Sequence, residues 1–156
     1  MCPRQNDGSR LSSVSDSAPQ EQTPYDRFGG HDFFVDLVAD FYVGVAADPI
    51  LRPLYPEEDL GPAEVRLRMF FEQYWGGPST YSEQRGHPRL RLRHGPFAID
   101  EQARDLWLFH MRNALDNRNL DPALDDEMWR YLLMAAHAMV NVSDGERPAK
   151  PNLPTA

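Results

Sequence analysis

A chain of 156 residues has room for one domain, and its formal net charge of −8 disfavours a nucleic-acid partner, because backbone phosphates attract basic surfaces. A single cysteine, Cys2, excludes an intrachain disulfide and speaks against thiolate ligation. The chain shows neither the apolar run of a signal peptide nor the ~20 apolar residues of a membrane span, so a cytoplasmic protein with no membrane partner is expected.

Residues 1–23 are rich in Ser, Gln, Asp and Pro and carry no aromatic side chain, which predicts a disordered tail. Residues 143–156, with Pro148, Pro151 and Pro154, predict a second one. The aromatics lie between them, so the folded domain is expected over residues 24–142.

After Gly29-Gly30, the residues Phe33, Phe34, Leu37, Val38, Phe41, Tyr42 and Val45 recur at helical spacing. Asp36 and Asp40 fall on the opposite face, and Asp32 is the expected cap. Asp48-Pro49 signals a new start and predicts a short helix from Pro49 to about Leu54, ended by Tyr55-Pro56. Gly61-Pro62 opens the next helix, on which Ala63, Leu67, Phe70, Phe71 and Tyr74 share a face and Glu64 pairs with Arg68 one turn on. Gly76-Gly77-Pro78 stops it, and Ser79 to His87 reads as a long polar loop.

Arg89 to Arg93 alternates arginine with leucine, which is a strand pattern. No second strand exists to pair with it, so a helical turn or an ordered loop is expected. Asp100 caps a helix carrying Ala103, Trp107, Met111 and Ala114 on one stripe. Asp121-Pro122 or Asp125 starts the last helix, with Leu124, Met128, Leu132, Ala135 and Met139 in register and Asn141 at its end. Everything ordered is thus helix and loop, an all-α chain.

Chemistry concentrates at His94. It follows Arg89, Arg91 and Arg93 and precedes a Gly95-Pro96 break, so its imidazole projects from a helix end beside cations that suit carboxylates. The aromatic run from Phe70 to Trp75 offers an apolar wall. An axial nitrogen, partners for acidic side arms and a greasy slot are what a haem needs. His31, His87, His110 and His137 have no such context and read as surface or satisfied core residues. Helical His-Glu-x-x-His, paired Glu-x-x-His and cysteine clusters are all missing, which leaves a macrocycle supplying its own nitrogens as the metal reading that fits.

Several segments are those of a known family. Leu54-Tyr55-Pro56-Glu57-Glu58-Asp59-Leu60, Tyr74-Trp75-Gly76-Gly77-Pro78, Gly86-His87-Pro88 through Arg93-His94, and Met139-Val140-Asn141 resemble truncated haemoglobins of group II. The resemblance spans about Tyr25 to Val142. It implies a truncated-globin two-over-two helical sandwich enclosing haem b, with His94 as proximal iron ligand. It places Tyr42, Tyr55 and Trp107 toward the open coordination site, with Ala63 and Leu67 beside them. It has Phe70 pack on the ring and makes Tyr81 and Arg93 candidate propionate partners.

The function so implied is reversible binding of dioxygen and other diatomic ligands at a pentacoordinate iron, nitric oxide and carbon monoxide included, as in oxygen transport. The alternative is an enzyme carrying out nitric oxide dioxygenation or a peroxidase-like reaction on peroxide, fed by an external reductase. A homodimer is a further expectation.

Overall fold

The computed structural model describes residues 19–143. The tail expectations for residues 1–18 and 144–156, together with Cys2 and the three C-terminal prolines, lie outside the described residues. Among the described residues every regular element is helical. The order is α1 (Pro24–Phe28), α2 (Gly30–Ala47), a 3-10 turn (Arg52–Leu54), α3 (Gly61–Tyr74), α4 (Thr80–Arg85), α5 (Leu90–His94), α6 (Glu101–Asp116) and α7 (Pro122–Met139).

Two long pairs, α2 with α3 and α6 with α7, make the two-over-two sandwich, and α2 joins them by packing on α6. The shared core is built from Phe34, Leu37, Phe41 and Val45 of α2, Met111 and Leu115 of α6, and Met128 and Leu132 of α7, all fully buried. Each such side chain contributes roughly 1.5–3 kcal/mol by leaving water, which is why the apolar stripe decides how each helix is turned.

The caps follow the sequence in part. The Asp100 carboxylate accepts from Ala103 N at 2.8 Å, and Asp121 accepts from Ala123 N at 3.0 Å, fixing the starts of α6 and α7. Asp32 does not cap α2. Gly29 takes that position at φ 123°, and Asp32 sits in the first turn, where its charge complements the helix dipole. Residues before Gly29 form a helix that the apolar period was too short to reveal. Thr23 and Asp26 box its start reciprocally, each side chain at 3.2 Å from the other's amide.

Three further expectations are corrected. The stretch after Asp48 winds into one 3-10 turn at Arg52–Leu54 rather than a helix from Pro49. Asp48 holds the bend that leads into it, accepting from Ile50 N at 2.8 Å and Leu51 N at 3.0 Å. Arg68 pairs with Glu72 at 3.4 Å, the other i,i+4 choice, because the Glu72 carboxylate is buried and needs charged partners. The polar loop contains helix α4, docked on α3 by Gln73, which donates to Ser82 Oγ at 2.7 Å and accepts from Ser82 N at 2.9 Å.

The Gly76-Gly77 stop has a steric basis. A Cβ on Gly77 would lie 2.6 Å from the Tyr25 ring and 2.9 Å from the Glu72 carbonyl. Tyr25 N donates to Trp75 O at 2.8 Å, so α1 closes over the end of α3. Among the described residues no helix is long and apolar enough to cross a membrane.

Candidate functional site

Between the two helix pairs lies a cavity of about 670 Å³. All nine sequence-predicted site residues line it: Tyr42, Tyr55, Ala63, Leu67 and Phe70 from the first half of the chain, and Tyr81, Arg93, His94 and Trp107 from the second. That size suits a cofactor-scale ligand.

One wall is built around α5. Arg89 precedes it in the left-handed region at φ 43°, with its amide donating to His87 Nδ1 at 3.3 Å. Arg93 locks the helix to the chain before it, donating through Nε to Pro88 O at 2.8 Å and through a terminal nitrogen to Arg85 O at 2.7 Å. Its guanidinium lies 5.8 Å from the Tyr81 ring centre, and Tyr81 in turn packs edge-on to Phe70 at 5.7 Å. His94 Nδ1 is 2.7 Å from Leu90 O. A carbonyl only accepts, so Nδ1 carries the proton and Nε2 keeps the lone pair.

The chain returns to this wall at its far end. Asn141, expected only to stop α7, lies beyond the helix end at Met139. Its side chain accepts from Ile99 N at 2.9 Å and donates to His94 O at 3.2 Å and Phe97 O at 2.8 Å. Asn141 N and Val142 N both donate to Ile99 O, at 2.9 and 3.2 Å. The non-helical turn after His94 thus has its backbone groups satisfied by the segment after α7.

The cavity is also lined by polar aromatics. Tyr55 is coupled by side-chain hydrogen bonds to the Tyr42 hydroxyl and to the Trp107 indole, whose N–H can only donate. The Tyr42 and Tyr55 rings meet edge-on at 5.7 Å, and Phe41 spaces Tyr42 from Trp107. Burial pushes the Tyr42 hydroxyl far above its ordinary pKa, and its contact with Tyr55 adds to that. Burial also raises Tyr55, although the donors from Tyr42 and Trp107 oppose the shift. Both phenols therefore remain protonated donors at neutral pH.

Arginines mark the polar side of the cavity, but not those the local pattern singled out. Arg93 does line it, joined by Arg66, Arg85 and Arg104, whereas Arg89 and Arg91 do not. Arg66 pairs with Glu57 at 2.5 Å. The signal for Arg66 was its place one residue before Leu67 on the inward face of α3; Arg85 and Arg104 had none.

Of the histidines, His94 alone lines the cavity among the described residues. His31 bonds Glu72 and His110 bonds Asp48, each at 2.7 Å, and His137 meets Arg104 at 3.2 Å. Among the described residues no group of three or more His, Cys, Asp or Glu is placed to hold a metal ion by itself. An apolar slot walled by Leu67, Phe70 and Phe97, one imidazole with a free Nε2 and a set of guanidinium groups fit a flat, iron-bearing macrocycle with acidic side arms.

Comparison with known proteins agrees with this geometry. The family model of the bacterial-like globins matches residues 23–141. The chain is 37% identical to the group 2 truncated hemoglobin YjbI of Bacillus subtilis over 123 residues, 79% of this chain and 92% of that protein. A thermostable hemoglobin from Thermobifida fusca superposes with a TM-score of 0.77 at 60% identity, covering 78% of this chain and 98% of that one. A hemoglobin from Chloroflexus aurantiacus gives 0.76 at 48% identity, covering 78% and 100%. The chain belongs to the bacterial-like globins and, within them, to the group II truncated haemoglobins: it is a haem globin.

Proposed function

We propose that a globin domain over residues 24–142 holds haem b in the cavity, with His94 Nε2 as axial ligand of a pentacoordinate iron. Dioxygen and other diatomic gases, carbon monoxide and nitric oxide among them, bind reversibly beneath Tyr42, Tyr55 and Trp107. The observation that carries this reading is the 2.7 Å contact of His94 Nδ1 with Leu90 O, inside the cavity that the three polar aromatics share. Such a backbone hydrogen bond both orients an iron-binding imidazole and raises its basicity.

Haem iron, when bound, supplies the redox-active centre to which the gas ligates. The chain supplies the rest. The Trp107 indole N–H can only donate, so Tyr55 accepts from it and keeps its own proton to offer to a ligand atom carrying partial negative charge. A hydrogen bond to a charged partner is worth about 1.5–3 kcal/mol, and 1.4 kcal/mol is about tenfold in affinity. Ala63 and Leu67 add no donor and leave room for entry. Phe70 offers its ring to the macrocycle, and Tyr81 and Arg93 stand near the side arms. Arg93 already donates twice to backbone carbonyls, so its remaining N–H groups serve that role.

The test is a visible spectrum of the purified protein and of His94→Ala, with and without oxygen. A Soret band in the wild type that shifts reversibly with oxygen and is lost or altered in His94→Ala is expected. An unchanged spectrum in His94→Ala refutes the assignment of the axial ligand.

A further inference from the structure

Arg89 and Arg91 belong to the basic run beside His94, yet neither lines the cavity. Both are exposed, as is Arg85 at the end of α4. Among the described residues none of the three takes part in an ion pair. From Gln84 to Ile99 the chain carries four arginines and no acidic residue, in a protein of formal net charge −8. Leu92 stands among them at 73% exposed, the most exposed large apolar side chain of the described residues. Gas binding uses none of Arg89, Arg91 and Leu92.

We infer that the outer face of α5 is a docking site for a small acidic electron-carrier protein, which passes single electrons to an iron held by His94. The inference rests on the haem-binding reading above and names a partner for it. Dioxygen binds ferrous iron, and iron that has been oxidised must regain one electron before it binds again. The step balances as a single electron: the carrier is oxidised by one, ferric iron becomes ferrous, and no bond or proton changes hands at the patch.

The position of Leu92 suits that task. Two residues along a helix turn a side chain to nearly the opposite side, so Leu92 faces outward where His94 faces the cavity. A carrier seated on Leu92 is separated from the axial imidazole by the width of one helix. Arg89 adds a second sign of purpose. It holds the left-handed region at φ 43°, which glycine adopts without strain, so the backbone gives no reason for an arginine there. Its exposed guanidinium does.

The size of the patch selects the partner. Three free cations around one leucine make a small surface, and electron-transfer encounters are the class that uses interfaces below about 1,200 Å² and relies on charge for approach. An anionic membrane is an extended surface, which would also meet the rest of an acidic molecule, and a five-residue helix offers little to lie along it. A small carrier meets the patch alone.

The test uses haem-loaded full-length protein, checked for its Soret band and oxidised to the ferric form. A reduced plant-type two-iron ferredoxin, an acidic one-electron carrier, is mixed with it under carbon monoxide, which reports ferrous iron by stopped flow. The wild-type rate should fall about tenfold or more between about 20 and about 300 mM sodium chloride. Arg89→Asn/Arg91→Gln, in which asparagine tolerates the left-handed backbone, should be about tenfold slower at low salt and nearly indifferent to salt. Arg130→Gln, which removes an exposed arginine on α7, should match the wild type. Photochemically reduced lumiflavin, a small uncharged donor, should reduce all three equally. Apart from turnover, oxidised ferredoxin added to the nitrogen-15-labelled carbon monoxide form should shift the amide signals of residues 85–94 first.

A wild-type rate indifferent to salt, a double variant as fast as the wild type or equally slowed toward lumiflavin, or shifts centred away from α5 overturns the inference alone. So does loss of binding to phosphatidylglycerol vesicles in the double variant with no change toward ferredoxin, because the patch then serves a lipid surface. Absence of the Soret band, or of a carbon monoxide complex after lumiflavin reduction, overturns it together with the proposed function.

Discussion

The side-chain amide of Asn141 donates to the backbone carbonyl of His94 at 3.2 Å, across 47 residues of chain. It also donates to Phe97 O and accepts from Ile99 N, so one side chain satisfies three backbone groups of the turn that follows α5. Asn141→Asp keeps the acceptor and the shape but replaces two donations with carboxylate–carbonyl repulsion. A loss of about 1–3 kcal/mol is expected, since two hydrogen bonds between solvent-accessible groups go. Denaturant midpoints measure it. If His94 holds the iron as proposed, the iron–histidine stretch of the ferrous protein should shift as well, because the bond ends on the His94 backbone, and more in Asn141→Asp than in a surface control such as Glu21→Gln.

Tyr55 is hydrogen-bonded to both Tyr42 and Trp107, and in the function proposed above it is the donor to a bound gas. Tyr55→Phe is therefore expected to speed oxygen dissociation by about tenfold or more, the worth of one good hydrogen bond to a polarised ligand. Tyr42→Phe and Trp107→Phe act through Tyr55 and should each have a smaller effect. Stopped-flow oxygen displacement by carbon monoxide gives the order. A larger effect in Trp107→Phe than in Tyr55→Phe reverses the assignment of roles.

His110 Nε2 and the buried Asp48 carboxylate pair at 2.7 Å. Burial alone would raise the Asp48 pKa, but the bond to His110 and those from the Leu51 and Ile50 amides outweigh it and leave the group below its ordinary value. A carboxyl depressed in the folded state contributes stability above its unfolded pKa, about 3.9, and loses it as pH falls through the folded value. The stability gap between wild type and Asp48→Asn should shrink as pH falls below about 4. Urea midpoints across that range check the sign.

Gly44 faces the same pair. A Cβ there would lie 2.4 Å from His110 Nδ1, so alanine forces the imidazole off Asp48. Alanine's gain in helix propensity over glycine, about 1 kcal/mol, works the other way. Overpacking against a ring held by a hydrogen bond costs about 1–3 kcal/mol and should win. In a His110→Ala background the clash is gone, and Gly44→Ala should become neutral or stabilising. Thermal midpoints of the four proteins in that cycle decide it.

Much of this was legible because two rules agreed locally. The stripe from Phe33 to Val45 and the caps Asp100 and Asp121 each combine period with position, and the helices lie where both say. His94 was legible because a helix break and a basic run flank it. Arg68 had two i,i+4 partners, and only the burial of Glu72 chooses between them. The reach of Asn141 back to His94 depends on α7 returning beside α5, which no local spacing encodes. Arg89 and Arg91 formed two of the three members of the apparent cationic cluster, yet α5, which follows the left-handed turn at Arg89, brings Arg93 and His94 to the cavity instead.

Arg52 binds the non-helical segment that carries Tyr55. Its guanidinium donates to Tyr55 O at 3.2 Å and to Glu57 O and Glu58 O at 2.8 Å each. Three carbonyls held by one planar fork fix the path of a stretch that has no regular hydrogen-bond ladder of its own, and so fix where the Tyr55 hydroxyl sits. Arg52→Ala should cost about 2 kcal/mol of stability, because charge-assisted bonds to partly exposed carbonyls are replaced by water. Arg52→Lys should recover little, since an ammonium cannot span the same three oxygens. The more telling measurement is the infrared spectrum of the carbon monoxide complex. A single C–O stretching band in the wild type should broaden or split in both variants as Tyr55 takes several positions. A band that stays single and unshifted while stability falls would show that Arg52 holds the segment without positioning Tyr55.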